Sequence, residues 1–432
     1  MLGAIFTTVG MIMRTNAVQL LLSLSSLFIF SMPLSAQPQS AAVQTSLVND
    51  LAYKNLAKRV AADPADYVSE TALIKFELLK VRESGNLKQV PHFRERLDAI
   101  LKDVPHYSPA SSTLSSVLLT LHEFSTAKEI AIRELERAPQ DPSLRTILFD
   151  AEFEIGDLTS AGNELLKLKK LSSNEPSTLV REARILTSKG DLLGAQKLLT
   201  RAATAASQDS RLSKIDTSWY YLTLGQYYFT RGQFPEAEKQ YLKAEAAFPG
   251  WWAVDAHFGE LLAAKRSFDE AVERFKKAAS ESERPESWQA IGEVLTLAGK
   301  ANEASSWFKK AELGYQGAEA GGLLLFLHHQ AHFYSDPQPN ASKALALSER
   351  DAALRTTQST LDQLAWANYR AGNFEMALEI SKRALALQAP TAHVLYHASM
   401  IFGAAGKLKE SKDFLALAGK YNPKFLEFHS HH

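Results

Sequence analysis

The sequence predicts an all-α solenoid, and three observations carry that prediction. Landmark residues recur at a spacing of 34: Pro105 and Pro139, Gly156 and Gly190, Gly225 and Gly259, Ala237 and Ala271, Gly372 and Gly406. Within each period the apolar residues fall into two blocks at helical spacing, parted by a turn and mostly closed by a proline. The composition, 46% hydrophobic and 22% charged over 432 residues, is globular rather than disordered and supplies enough apolar surface for an extended core.

Composition also closes off several chemistries. The chain has no cysteine, which removes disulfides, thiolate metal sites, a cysteine nucleophile and the lipid-bearing cysteine of a lipoprotein anchor. Lys plus Arg is 48 and Asp plus Glu is 48, a formal net charge of +0. Nucleic-acid binding needs a basic excess to displace counterions, so no nucleic-acid partner is expected. No phosphate-binding loop, H-E-x-x-H, G-x-S-x-G or Ca²⁺-loop pattern occurs, and neither catalysis nor a cofactor is expected.

In chain order, Arg14 is the only ionisable side chain among the first 36 residues. It precedes an apolar run from Ala17 to Phe30, and then come Met32-Pro33-Leu34-Ser35-Ala36 and the polar Gln37-Pro38-Gln39-Ser40. This is the layout of a signal peptide over 1–36, cleaved after Ala36. Met13-Arg14 would serve equally as its start. The apolar core is shorter than the roughly 20 residues of a spanning helix, so membrane association is expected only if the leader stays uncleaved. The mature chain is expected in the periplasm or secreted.

Residues 37–64 are assigned to an N-terminal capping helix, with LVNDLAYKNLAKRVA as its apolar-periodic part, covering the exposed face of the first repeat. Residues 65–206 hold the N-terminal repeats. A pair from Tyr67 to Val104 turns at Ser84-Gly85-Asn86, and a second carries Phe124, Ala127 and Ala131. The next two place Gly156-Asp157-Leu158 before Ala161 and Leu165, and Gly190-Asp191-Leu192 before Ala195 and Leu199. Residues 207–216 read as a polar insertion, the candidate hinge.

The C-terminal repeats, 217–423, open with the clearest unit, Thr217 to Pro249. Tyr221, Leu224, Gly225 and Tyr228 stand at x₂-L-G-x₂-Y spacing, Ala237 and Tyr241 as A-x₃-aromatic, and Pro249 ends the unit. This set resembles one tetratricopeptide repeat (TPR), with Tyr in place of the usual Trp and Phe. The resemblance implies two antiparallel helices, small residues at Gly225 and Ala237 where they cross, and Gly232 at the turn. Extended over the chain, it implies a right-handed α/α superhelix of about ten such pairs.

The following units keep the register through Ala271 and Phe275, then Trp288, Ile291 and Gly292, then Ala304 and Phe308. The glycines Gly314, Gly317, Gly321 and Gly322 read as an inter-repeat turn before a divergent unit with helices at Ala320–Tyr334 and Asn340–Ala353. Leu361 to Leu387 returns to type, Thr391 to Tyr421 forms the last pair, and 424–432 is a tail.

The resemblance implies a binding scaffold, with a protein or peptide partner lying in the concave groove. Carried onto this chain, the groove positions are Trp219, Leu222, Gln226 and Phe229 in the clearest unit, and Asp362, Trp366, Tyr369 and Arg370 in the later one. Tyr221, Tyr228 and Tyr241 are assigned to packing between helices. Similarity to exported bacterial proteins of this kind implies work in the assembly or maintenance of a cell-envelope or secretion system.

The alternative is a periplasmic metal-handling protein. His328 and His332 stand at i, i+4 on one helix, which sets two imidazoles on one face. Asp336 could add a carboxylate, and His429, His431 and His432 cluster in the tail. No third ligand is fixed by any motif, so the bland reading of these histidines is packing and surface.

Overall fold

A computed structural model describes residues 46–428, and among them every regular element is helical. The leader, the first part of the cap segment and His429, His431 and His432 lie outside the described residues. A lone helix α1 (Ser46–Ala62) precedes ten antiparallel pairs. The first four are α2 (Tyr67–Ser84) with α3 (Val90–Asp103), α4 (Ser108–Thr120) with α5 (Phe124–Arg137), α6 (Pro142–Ile155) with α7 (Leu158–Ser172), and α8 (Pro176–Ser188) with α9 (Leu192–Gln208). The next three are α10 (Lys214–Phe229) with α11 (Phe234–Ala247), α12 (Trp252–Ala264) with α13 (Phe268–Ser282), and α14 (Pro285–Leu297) with α15 (Ala301–Ala320). The last three are α16 (Leu327–Ser335) with α17 (Ala341–Leu354), α18 (Gln358–Arg370) with α19 (Phe374–Leu387), and α20 (Ala392–Ala404) with α21 (Leu408–Tyr421).

Local chemistry sets the helix ends. Side chains of Asp66, Asp141, Asp157, Asp191, Ser213, Asn340, Thr357 and Thr391 accept from backbone N–H groups of the first turn. Each such cap stabilises its helix by about 1 kcal/mol. Proline at the first helical position of α6, α8 and α14 costs nothing there, because that N–H has no intrahelical acceptor.

Within the clear units, a glycine of the first helix meets an aromatic ring of the second. A Cβ on Gly225 would overlap the Tyr241 ring, one on Gly259 would come within 2.9 Å of Phe275, and one on Gly292 within 2.6 Å of Phe308. Tyr241 and Phe275 are fully buried and Phe308 nearly so. Here the repeat pattern of the sequence becomes packing: the missing methyl admits the ring, and the ring fills the crossing.

First helices of successive units also pack on one another, α4 on α6, α10 on α12, α16 on α18 and α18 on α20, forming the inner wall of the solenoid. The superhelix is tight enough that its turns touch. Thr356 N donates to Ile155 O at 2.9 Å and Ala389 N to Ser188 O at 2.8 Å, so both contacts step along by one repeat. Gly156, at φ +98, sits under the Thr356 carbonyl, where any Cβ would collide. Further back, Trp251 and Trp252 both donate from Nε1 to Arg82 O, at 3.1 and 3.3 Å. Arg82 itself pairs with the buried Asp216.

Three expectations change. The stretch 207–216, read as a polar insertion, narrows to a short connection over 209–213: α9 runs on to Gln208 and α10 starts at Lys214 behind a Ser213/Asp216 capping box. Asp216 has a second role in the Arg82 ion pair, which supplies a reason for polar residues here other than looseness. The expected turn at Gly314–Gly322 is a correction. Gly314 and Gly317 lie inside α15, and only Gly321 and Gly322 turn the chain. Gly314 is small because Trp288 lies where its Cβ would be, 2.6 Å away. In consequence the expected helix Ala320–Tyr334 is replaced by the turn, a 3₁₀ segment Leu324–Phe326 and the shorter α16.

Candidate functional site

Packing within and between neighbouring units decides which of the expected groove residues reach open space. Trp219 is 7% exposed and lies edge-on to Tyr220, while Phe229 is 1% exposed and stacks on Phe234. Leu222, Asp362 and Trp366 are buried as well. Gln226 and Tyr369 are half-buried and Arg370 is exposed. The packing roles divide differently from the expectation: Tyr241 is fully enclosed, whereas Tyr221 and Tyr228 are only half-buried. The inner wall of the superhelix faces more protein than an open groove would.

Two arrangements emerge from that wall. The first is a cavity of about 240 Å³ between successive turns of the superhelix. One side is built from the α6–α7 turn, α8 and α10; the other comes from the connections ahead of α18 and α20. Leu158, Val180, Leu192, Leu387 and Val394 make it mostly apolar, and Gln226 and Phe229 join its lining. The backbone bonds Thr356–Ile155 and Ala389–Ser188 are the rungs between its two sides.

Arginine 231 gives this cavity a sign. Its guanidinium lies 3.6 Å from the Tyr227 ring centre, and Nη1 donates to Tyr227 O at 3.1 Å and Thr230 Oγ1 at 3.2 Å. The other arginines lining the cavity are paired, Arg184 with Glu154 and Arg355 with Asp351 at 2.9 Å. Among the described residues no carboxylate lies within ion-pair distance of Arg231. Burial pushes its pKa down, with Tyr227 opposing, yet a guanidinium keeps its charge in a protein. Glu260 also lines the cavity, beside His257 at 3.2 Å, and a mostly apolar cleft whose Arg231 has no carboxylate partner favours an apolar segment carrying a negative group at that guanidinium.

The second arrangement is histidine-rich. His328 and His332 share a face of α16 but take different partners. His328 Nδ1 lies 3.2 Å from Asp351 Oδ2, whereas His332 Nε2 lies 3.4 Å from Asp336 Oδ2 and its Nδ1 3.2 Å from Gln289 Nε2. Burial pushes the His332 imidazole down despite Asp336. At Asp336 burial opposes the charge, but His332, Arg370 and Trp366 outweigh it and hold the carboxyl below its ordinary range. Two repeats further on, His393 and His397 of α20 converge on a single residue, Asp362 of α18. Trp366 stands between the two groups, donating Nε1–H to Asp336 Oδ2 at 2.7 Å while its ring stacks on His397 at 3.9 Å.

Sequence reasoning missed Arg231 and the far side of the cavity. Arg231 precedes the turn glycine Gly232, a position where a charge draws no notice, and 387–392 is remote in sequence from 180–231. The Asp362/His393/His397 convergence did leave a signal. The two histidines are four apart, and Asp362 precedes them by about one repeat, which sets it on the neighbouring first helix.

Tetratricopeptide-repeat family models match residues 175–249 and 357–389. Among solved structures the chain is similar to human IFIT1, solved as a dimer with PPP-AAAA, at 13% identity over 87% of each chain and a TM-score of 0.47. It is similar to a chain of the APC/C hetero-tetramer Cut9–Hcn1 at 14% identity, over 90% of this chain and 75% of that one, with a TM-score of 0.46. MamA is similar at 21% identity, over 40% of this chain and 97% of its own, with a TM-score of 0.32. No curated protein sequence matches the chain.

Proposed function

We propose that this tetratricopeptide-repeat protein is a non-catalytic scaffold that captures an extended, acidic segment of a partner protein in the cavity between its superhelical turns. The observation that carries the reading is Arg231, a half-buried cation without a carboxylate partner on a mostly apolar cavity wall. Apolar side chains of the partner would fill the space beside Leu158, Val180 and Leu387, and a side-chain or terminal carboxylate would take the guanidinium's remaining N–H groups. Gln226 supplies a polar point on the same wall. Of the expected groove positions, Gln226 and Phe229 remain in this reading through the cavity, while Tyr369 and Arg370 stand at the opposite end of α18 and take no part in it.

The test is a photo-crosslinking residue at position 226, with position 242 on an exposed face as control. A crosslink to one defined protein from 226, absent from 242 and weakened by about tenfold or more in Arg231→Gln, supports the reading. Equal crosslinking from both positions, or no dependence on Arg231, overturns it.

The leader-like start of the sequence extends the proposal to place: export to the periplasm or beyond, and work on a cell-envelope or secretion assembly. Its support is the apolar run Ala17–Phe30 ahead of Ser35-Ala36. No helix of the described residues is long and apolar enough to cross a membrane. Sequencing the amino terminus of the protein from its native cells tests this directly. A mature terminus at Gln37 is the expected result, and an intact leader on a cytoplasmic protein would reject it.

A further inference from the structure

We infer that Asp362, His393 and His397 form a binding site for a divalent first-row transition ion of the zinc class. His393 and His397 lie one turn apart on α20, so the helix backbone itself holds both imidazoles on one face. Asp362 projects from α18, the first helix of the preceding unit, which packs directly on α20. The three ligand atoms lie within 4.8 Å of one another. His397 Nδ1 is 2.8 Å from Asp362 Oδ2, and His393 Nε2 is 3.5 Å from the same oxygen. Ligands at about 2.0–2.1 Å around a tetrahedral ion stand roughly 3.3 Å apart. The cluster therefore brackets the required separation without rearranging a helix.

Two further facts favour an ion over a hydrogen-bonded triad alone. All three residues are buried, and Asp362 Oδ1 and His397 Nε2 have no hydrogen-bond partner there. A divalent cation held by Asp362 would offset a buried carboxyl group whose Oδ1 receives no hydrogen bond. Imidazole and carboxylate donors suit zinc and its neighbours, and three protein ligands leave a fourth position for water or for a group brought by a partner.

The His328/His332 pair is the internal control. Those imidazoles are held by separate carboxylates, Asp351 and Asp336, and no group of three donors is found there. The ion site belongs to α18 and α20, where it would clamp one unit to the next. It stands apart from the cavity proposal, since a chain can bind zinc with or without a captured segment.

The experiment is calorimetric titration of the full chain, stripped by chelator, with Zn²⁺, paired with Co²⁺ titration followed by visible absorption. The expected result is one equivalent bound at micromolar or tighter affinity, an intense Co²⁺ band, and quenching of tryptophan emission through Trp366, whose ring stacks on His397. Asp362→Asn and His393→Gln should each lose that equivalent, by about 100-fold in affinity, while His328→Gln with His332→Gln keeps it. Zinc held by His429, His431 or His432 is the same in all these chains and cancels in the difference. No band and no equivalent in the unmodified chain overturns the inference, whether or not every variant folds. An equivalent that survives Asp362→Asn in a folded chain overturns it too.

Discussion

Two histidine pairs stand two repeats apart on the same wall, with the same spacing and different fates. On α16, His328 and His332 split between Asp351 and Asp336; on α20, His393 and His397 share Asp362. A helix places residues i and i+4 on one face, but that alone builds half a site. The deciding group comes from the neighbouring helix. On α16 it comes from Asp351 of α17 and from Asp336 just past the end of α16 itself, which draw the imidazoles apart. On α20 a single carboxylate of α18 draws them together. The first region reads as a structural network, the second as an ion site.

The comparison can be broken most severely at Asp351. Its carboxylate holds both His328 and the buried Arg355, and Asp351→Asn leaves that guanidinium poorly compensated. Removing one partner of a buried pair costs about 3–5 kcal/mol. Urea unfolding should show that loss, with Zn²⁺ uptake unchanged in the folded fraction. A loss below about 1 kcal/mol would deny α17 its part in holding α16.

A smaller and pH-dependent effect is expected beside α16. Glu293 is pushed up to about 8 by burial, aided by Asp336 and opposed by the Gln289 amide. Gln289 also reaches His332 and the Tyr315 hydroxyl. In the folded chain Glu293 stays protonated at neutral pH, while the unfolded carboxyl ionises near its model value of 4.5. The folded state then binds more protons between these values, so this residue lowers stability as pH rises through that window, by about 1.4 kcal/mol per unit. Melting Glu293→Gln against the parent should give curves that converge below pH 4.5 and separate up to pH 8, the variant being the more stable. Parallel curves would mean that the carboxyl is ionised in the fold.

The smallest effect sharpens the contrast between the pairs themselves. His332→Gln keeps a hydrogen-bonding group near Gln289 and should cost about 1 kcal/mol of stability, with zinc affinity within about twofold of the parent. His397→Gln should cost a similar amount without metal, yet lose the added stability that zinc confers. Thermal melts with and without Zn²⁺ separate them. Equal zinc-induced shifts in the two variants would erase the distinction.

Much of the architecture was legible because it is written locally and repeated. A glycine facing an A-x₃-aromatic block, as at Gly225 with Tyr241, dictates a close helix crossing wherever it recurs. Aspartate, serine or threonine ahead of an apolar block starts a helix by capping it, at Asp157, Asp191 and Thr391 alike. Gly314 was misread for the same reason. A glycine in a cluster signals a turn, and nothing near it in sequence announces Trp288 packed against its face.

The sequence by itself determined the helices, their pairing and the period, since those follow from contacts made within one or two repeats. Tertiary structure alone decided how far the superhelix winds, and therefore what its inner wall meets. The contacts of Thr356 with Ile155 and of Ala389 with Ser188 join residues some six periods apart. They enclose Arg231 in a cavity whose other side comes from a different superhelical turn. The small rotation between neighbouring units accumulates over several repeats, so no window of one or two repeats carries it, and only the assembled chain shows which distant surfaces come together.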